Sequence, residues 1–193
     1  MISTARIVLA SASPRRLDLL SQAGVRPDEV SPAEIDESRL PGEPARRAAM
    51  RLANSKAEAV WKPGGDAFVI GADTIVSLNG RFLGKPTEED EARAMLRRLS
   101  GRGHRVLTGV AVIAPRGRRA ARLAEARVRF KALSGEDIER LIACGEWRGA
   151  AGGYRIQGMA GAVVTGLIGS YTAVVGLPLY ETLALLNGLG FRQ

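Results

Sequence analysis

Residues 7–16 read Ile7-Val8-Leu9-Ala10-Ser11-Ala12-Ser13-Pro14-Arg15-Arg16. Four apolar residues in a row predict a short, fully buried strand. Ser13 suits a helix N-cap, and Pro14 suits the first helical position, where its missing N–H is not needed. Leu17, Leu20 and Ala23 then recur at helical spacing, and Gly24 ends the helix. A strand that breaks directly into a helix is the unit of α/β folds. Its helix N-terminus carries free N–H groups, two hydroxyls (Ser11, Ser13) and two guanidiniums (Arg15, Arg16), a set suited to an anion. Arginine forks match phosphate oxygens in bidentate fashion, so phosphate is the expected anion.

Strand and helix signals alternate outward from this unit. A polar stretch with Pro27, Pro32, Pro41 and Pro44 contains Glu34-Ile35-Asp36-Glu37. A helix is predicted from about Pro44 to Trp61. Ala67-Phe68-Val69-Ile70 is the next buried strand, ending in Gly71-Ala72-Asp73-Thr74. Ile75–Leu78 and Arg81–Leu83 flank Asn79-Gly80, the strongest two-residue hairpin signal. Thr87 with Asp90 resembles a capping box for a helix to about Ser100. Val106–Ala114 and about Arg122–Phe130 are strands around a Pro115 turn. Ser134 with Asp137 caps a further helix, a glycine-rich section runs from Gly145 to Gly176, and Pro178 opens a last helix ended by Gly188 or Gly190. The pattern predicts a mixed α/β sheet whose hairpins break simple parallel winding, in one domain over residues 1–193.

Composition narrows the function classes. Hydrophobic content of 46% with 25% charged residues is that of a soluble globular protein. No segment reaches the length of a membrane span, and no secretory leader is evident. Cys144 has no partner for an internal disulfide and reads as a buried structural thiol in a reducing cytoplasm. The net charge of +8 suggests an acidic partner. Yet only four of the 28 basic residues are lysines, which points to a bias toward arginine codons. The one dense cluster, Arg116–Arg122, flanks a turn, so no nucleic-acid face is expected.

Several side chains stand out for chemistry. Lys56 falls on the inward stripe of its helix, where a lysine either snorkels out or meets an anion. Lys85 is placed by a loop before Pro86. Asp73 follows a buried strand directly, at the end where α/β proteins bind ligands, although a turn aspartate reads the same way. Glu37 and Asp36, paired with Asp73, offer oxygens for Mg²⁺ on a polyphosphate. One histidine, His104, and one cysteine cannot build a zinc cage. Nucleophile-elbow and P-loop patterns are absent.

Together these segments resemble the Maf family of nucleoside triphosphate pyrophosphatases. The resemblance rests on Ser11-Ala-Ser-Pro-Arg-Arg16, Glu37, Leu52-Ala53 with Lys56-Ala57, Gly71-Ala-Asp-Thr74, Lys85-Pro86, Leu99-Ser-Gly101 with His104, Thr108-Gly109, Ala151-Gly152 with Tyr154, Ile156-Gln157-Gly158, Gly169-Ser-Tyr171 and Val175-Gly-Leu-Pro-Leu179. It implies a two-lobed fold like that of the inosine triphosphate pyrophosphatases, with the active site in the cleft, and a homodimer in the cytoplasm. It implies cleavage of a nucleoside triphosphate to monophosphate and pyrophosphate with Mg²⁺ or Mn²⁺. Asp73 matches the proton acceptor and, with Glu37, the metal position. Ser11, Arg16, Lys56 and Lys85 match phosphate-handling positions, and Arg15, Thr74 and Gln157 match those that separate the branches.

Gly-Ala-Asp-Thr and Tyr-x-Ile-Gln-Gly resemble the dTTP/UTP branch, with a house-cleaning role in nucleotide pools and a link to cell division. The rival readings are a pyrophosphatase for purine or modified nucleotides such as 7-methyl-GTP, and a cell-division interaction protein with vestigial catalysis. One departure is notable. Where that branch has a lysine, this chain has Ala150, which removes a cation from the expected base-proximal loop.

Overall fold

The computed structural model describes residues 6–192; the remaining ends of the expected domain lie outside it. A seven-stranded mixed sheet forms the frame. Its main path runs β2 (Glu29–Val30), β1 (Arg6–Ala10), β3 (Ala67–Leu78), β5 (Gly103–Ile113), β6 (Arg119–Phe130) and β7 (Val164–Ile168), with β4 (Arg81–Leu83) on β3. β1 pairs parallel to both β2 and β3, while the β3–β5, β5–β6 and β6–β7 pairs are antiparallel. The expected α/β class and the break in parallel winding are both present.

The helices are α1 (Pro14–Gln22), α2 (Ala45–Val60), α3 (Glu89–Leu99), α4 (Gly135–Ala143), α5 (Tyr171–Val175) and α6 (Leu179–Gly188). Side-chain alternation along β3 shows how they are sorted. Phe68, Ile70 and Ala72 join β1, α1 and α6 in one core with Leu20 and Leu186. Val76 and Leu78 join a second core with Leu96 and Leu99 of α3, Ile142 of α4, Trp147 and Tyr154. Thr74 is the residue of this face that lies between the two. On β5, Thr108 likewise separates Val106 in the second core from Val110 in the first, and Thr74 and Thr108 are register partners. A polar seam therefore crosses the sheet where the two cores part.

The opposite face is covered by α2. A Cβ on Gly71 would lie 2.4 Å from the Ala53 carbonyl oxygen, and one on Gly109 would lie 2.3 Å from that of Ala49. Only glycine at these two strand positions lets the helix backbone approach so closely. Ala48, Ala49, Ala53 and Ala57 then form the buried stripe, and Lys56 is carried inward with them.

Four local expectations need correction. β3 runs unbroken through Gly71-Ala72-Asp73-Thr74, so Asp73 is mid-strand. The parallel partner is what ends: β1 stops at Ala10, opposite Gly71, and turns into α1. Asp73 thus opens to the gap left by β1. Ser13 stands at the N-cap position without capping through its side chain. Thr87 and Asp90 form no capping box; the Thr87 N–H donates to Glu91, and Asp90 pairs with Arg93. Cys144 is half-buried at the end of α4 rather than in a core. By contrast, Ser134 and Asp137 form the expected reciprocal capping box, and the Arg116–Arg122 cluster flanks a short turn at Pro115–Gly117.

Candidate active site

Beyond the end of β1 lies a cavity of about 380 Å³. The nine residues that the family resemblance assigned to the site all line it: Ser11, Arg15, Arg16, Glu37, Lys56, Asp73, Thr74, Lys85 and Gln157. They come from six separate stretches of chain. The β1–α1 turn brings the serine and the arginines, and α2 brings Lys56. β3 carries Asp73 and Thr74, and loops carry the rest.

The centre is a line of alternating charges. The buried Lys56 Nζ donates to Asp73 Oδ1 at 2.6 Å and stands 2.7 Å from Glu37 Oε1. The other Glu37 oxygen accepts from Lys85 Nζ at 3.1 Å. Lys56 therefore does not snorkel; it meets two carboxylates. Burial alone would raise the Glu37 carboxyl, but the hydrogen bonds and charges of Lys56 and Lys85 outweigh it and hold the group below its ordinary value. Glu37 is accordingly an anion at neutral pH.

Arg16 is buried and rigidly held. Its Nε donates to the Gly176 carbonyl at 2.8 Å, and its Nη1 donates to Ser11 Oγ at 3.0 Å. Burial lowers its pKa, against the opposing pull of Asp73 and Glu37. Ser11 Oγ also accepts from the Ser13 N–H at 3.2 Å, so Ser11 organises the turn that Ser13 was expected to cap. Arg15 reaches the Gly149 carbonyl across the cavity at 3.4 Å. Gln157 is exposed at the cavity wall.

Glu37 and Asp73 are gathered about one ammonium, and two carboxylates beside a phosphate site are the donors a hard divalent cation uses. Asp36 does not join them, because both its oxygens accept from Ser38 within its own exposed turn. Among the described residues no group of three or more histidine, cysteine, aspartate or glutamate side chains comes together to hold a metal. A divalent cation held by Glu37 and Asp73 would have to take its remaining oxygens from a bound polyanion and water.

Sequence reasoning gave no role to three contributors. Arg148 and Arg155 line the cavity on either side of Ala150, which is itself buried at the wall. The site thus keeps guanidiniums beside the position where a lysine was expected. Thr108, fully buried beneath Thr74, is the third. It stands in the Thr108-Gly109 pair quoted for the resemblance, as a hydroxyl inside the apolar strand run Val106–Val112, with no role attached to it there. His104, for which the sequence left a structural or an exposed role open, is buried on Tyr154, with Nε2 and Oη 2.7 Å apart.

Fold and cleft together define a mixed α/β protein with arginine and lysine gathered around paired carboxylates. The Maf-like protein family matches residues 6–189, and the chain belongs to the Maf family. It is 56% identical over 186 residues to the dTTP/UTP pyrophosphatase of Caulobacter vibrioides, covering 96% of each chain. It is 58% identical to that of Maricaulis maris, over 96% of this chain and 89% of the relative. The dTTP/UTP pyrophosphatase of Hyphomonas neptunium is 53% identical over the whole of both. Among solved structures, a dITP/XTP pyrophosphatase from Mycobacterium abscessus matches with a TM-score of 0.40 and 18% identity, over 65% of this chain and 72% of that one.

Proposed function

We propose that this protein hydrolyses dTTP and UTP to the nucleoside monophosphate and pyrophosphate. The observation that carries the reading is the line Asp73–Lys56–Glu37–Lys85 beside Ser11 and Arg16 in a single cavity. Relatives more than half identical over nearly the whole chain bear the name dTTP/UTP pyrophosphatase, which supports the choice of nucleotide.

The reaction breaks the bond between the α-phosphorus and the bridging oxygen to the β-phosphate. Water supplies the oxygen that replaces it on the α-phosphorus. One of its protons passes to Asp73, whose Oδ1 is held by Lys56, leaving Oδ2 to accept. The bridging oxygen leaves with pyrophosphate. Charge builds on both sides of the broken bond, and preorganised cations stabilise it without reorganising. Arg16, fixed by Gly176 and Ser11, suits the phosphate nearest the α1 N-terminus. Lys56 and Lys85 suit the leaving pyrophosphate. Mg²⁺ or Mn²⁺ held by Glu37 and Asp73 would add Lewis-acid charge neutralisation at the phosphates. Arg15, Thr74 and Gln157 lie along the cavity as the nucleoside-reading group. The house-cleaning role, cytoplasmic location and homodimer expected of the family belong to this same reading.

A panel of dTTP, UTP, CTP, GTP and ATP with Mg²⁺ or Mn²⁺, with products separated by ion exchange, tests the proposal. Monophosphate plus pyrophosphate, with dTTP and UTP turned over fastest, is the expected result. Diphosphate plus orthophosphate would refute the assigned bond, and a preference for GTP or ATP would refute the assigned nucleotide.

A further inference from the structure

The polar seam between the two cores has a fixed proton direction. Thr108 Oγ1 lies 2.7 Å from the Ala173 carbonyl oxygen of α5 and 3.0 Å from Thr74 Oγ1. A hydroxyl has one proton, and a carbonyl can only accept. Thr108 is fully buried, so no water competes for that proton, and it goes to Ala173. Thr74 must then donate its own proton to Thr108. What the Thr74 hydroxyl turns toward the cavity is lone pairs.

We infer that Thr108 is a positioning residue that makes Thr74 a hydrogen-bond acceptor for the N3–H of the pyrimidine ring. The inference rests on the dTTP/UTP reading above. Uracil and thymine present a ring N–H between two carbonyls, whereas cytosine presents a bare ring nitrogen at that place. An acceptor-only hydroxyl matches the first and leaves two acceptors facing each other in the second. An unpaired or mismatched polar group in a desolvated site is the strongest means of discrimination available to a binding pocket. Gln157, an amide with donors and an acceptor that lines the same cavity, can pair with a flanking carbonyl.

Geometry elsewhere in the seam supports a built arrangement. Thr74 and Thr108 are direct register partners on β3 and β5. Gly176, just past α5, closes over them, since a Cβ there would lie 3.7 Å from Thr74 Oγ1 and 3.6 Å from Arg16 Nε. The short α5 segment therefore sets the polarity of Thr74 through Ala173 and anchors Arg16 through Gly176.

The test compares kcat and KM for UTP, CTP and N3-methyl-UTP in wild type, Thr108→Val and Thr108→Ser. Wild type is expected to favour UTP over both others. Thr108→Val frees Thr74 to rotate and donate, so the UTP:CTP ratio of kcat/KM falls by roughly fivefold or more, mainly through KM. Thr108→Ser restores the ratio. A purely structural role would scale all substrates alike and leave the ratio unchanged, and that result overturns the inference. So does a wild type that handles UTP and N3-methyl-UTP equally. If Thr108→Val does not fold, Thr74→Val against Thr74→Ser gives the same comparison, and an unchanged ratio there is equally fatal. A wild type idle on every triphosphate overturns the pyrophosphatase reading and this inference with it. A wild type that prefers UTP with a ratio indifferent to Thr108 overturns this inference alone.

Discussion

Asp73 and Lys56 form the tightest contact in the cavity, and each explains why the other is tolerated under cover. A buried lysine without an anion, or a buried carboxylate without a cation, would carry a desolvation cost of several kcal/mol. Asp73→Asn keeps the shape and removes the charge. A general base at this position predicts a loss of at least ~10²-fold in kcat with the fold retained, checked by steady-state rates beside circular dichroism. Near wild-type turnover in the folded variant would remove Asp73 from the mechanism. His104 gives a residue-scale prediction of a different kind. Burial against Phe130 and Tyr154 lowers its pKa from 6.5 to about 4. Above pH 6.5 the imidazole is neutral folded and unfolded, so its environment is not penalised. Between 6.5 and 4 the unfolded chain takes up a proton that the folded one refuses. Stability is therefore lost as pH falls through that window, by up to roughly 3 kcal/mol. Melting temperature measured from pH 7 to pH 4.5 should drop in wild type and drop less in His104→Gln; parallel curves would contradict this.

At the scale of elements, the seat of α2 decides whether Lys56 reaches Asp73. Gly109→Ala puts a methyl 2.3 Å from the Ala49 carbonyl oxygen, so the helix must shift. Overpacking of this kind costs about 1–3 kcal/mol, and the shift should lower kcat as well as melting temperature. Gly135→Ala, where a Cβ meets nothing within 4 Å, is the control expected to do neither. This same packing marks how far the sequence could be read. Apolar runs and glycine or proline punctuation located every main helix and the long strands, because periodicity is a local property. Motif residues named all nine cavity-lining candidates, because each motif sits on a turn or strand that the fold delivers to one place. The mid-strand position of Asp73 was hidden, since Gly71-Ala72-Asp73-Thr74 reads as a turn until β5 is seen pairing along its whole length. The failed Thr87 box lost to competition from Glu91 and Arg93. The role of Thr108 depends on a register and on the Ala173 carbonyl, which lie 34 and 65 residues away, so no window of sequence contains it.

The whole molecule is a frame that splits two cores and leaves a charged cleft between them. The chain carries a net charge of +8, and surface ion pairs such as Arg119–Glu58 and Arg93–Glu139 contribute little to stability individually. The cations that matter for a polyanion are those of the cavity, where Arg15, Arg16, Lys56, Lys85, Arg148 and Arg155 converge. No helix among the described residues is long and apolar enough to cross a membrane. On the proposed reaction this cleft directs water to the α-phosphorus. Hydrolysis of UTP in heavy-oxygen water, followed by mass spectrometry of the products, tests it most directly. Attack at the α-phosphorus puts the label in UMP and leaves the pyrophosphate unlabelled. Label in the pyrophosphate, or labelled orthophosphate beside UDP, would contradict it.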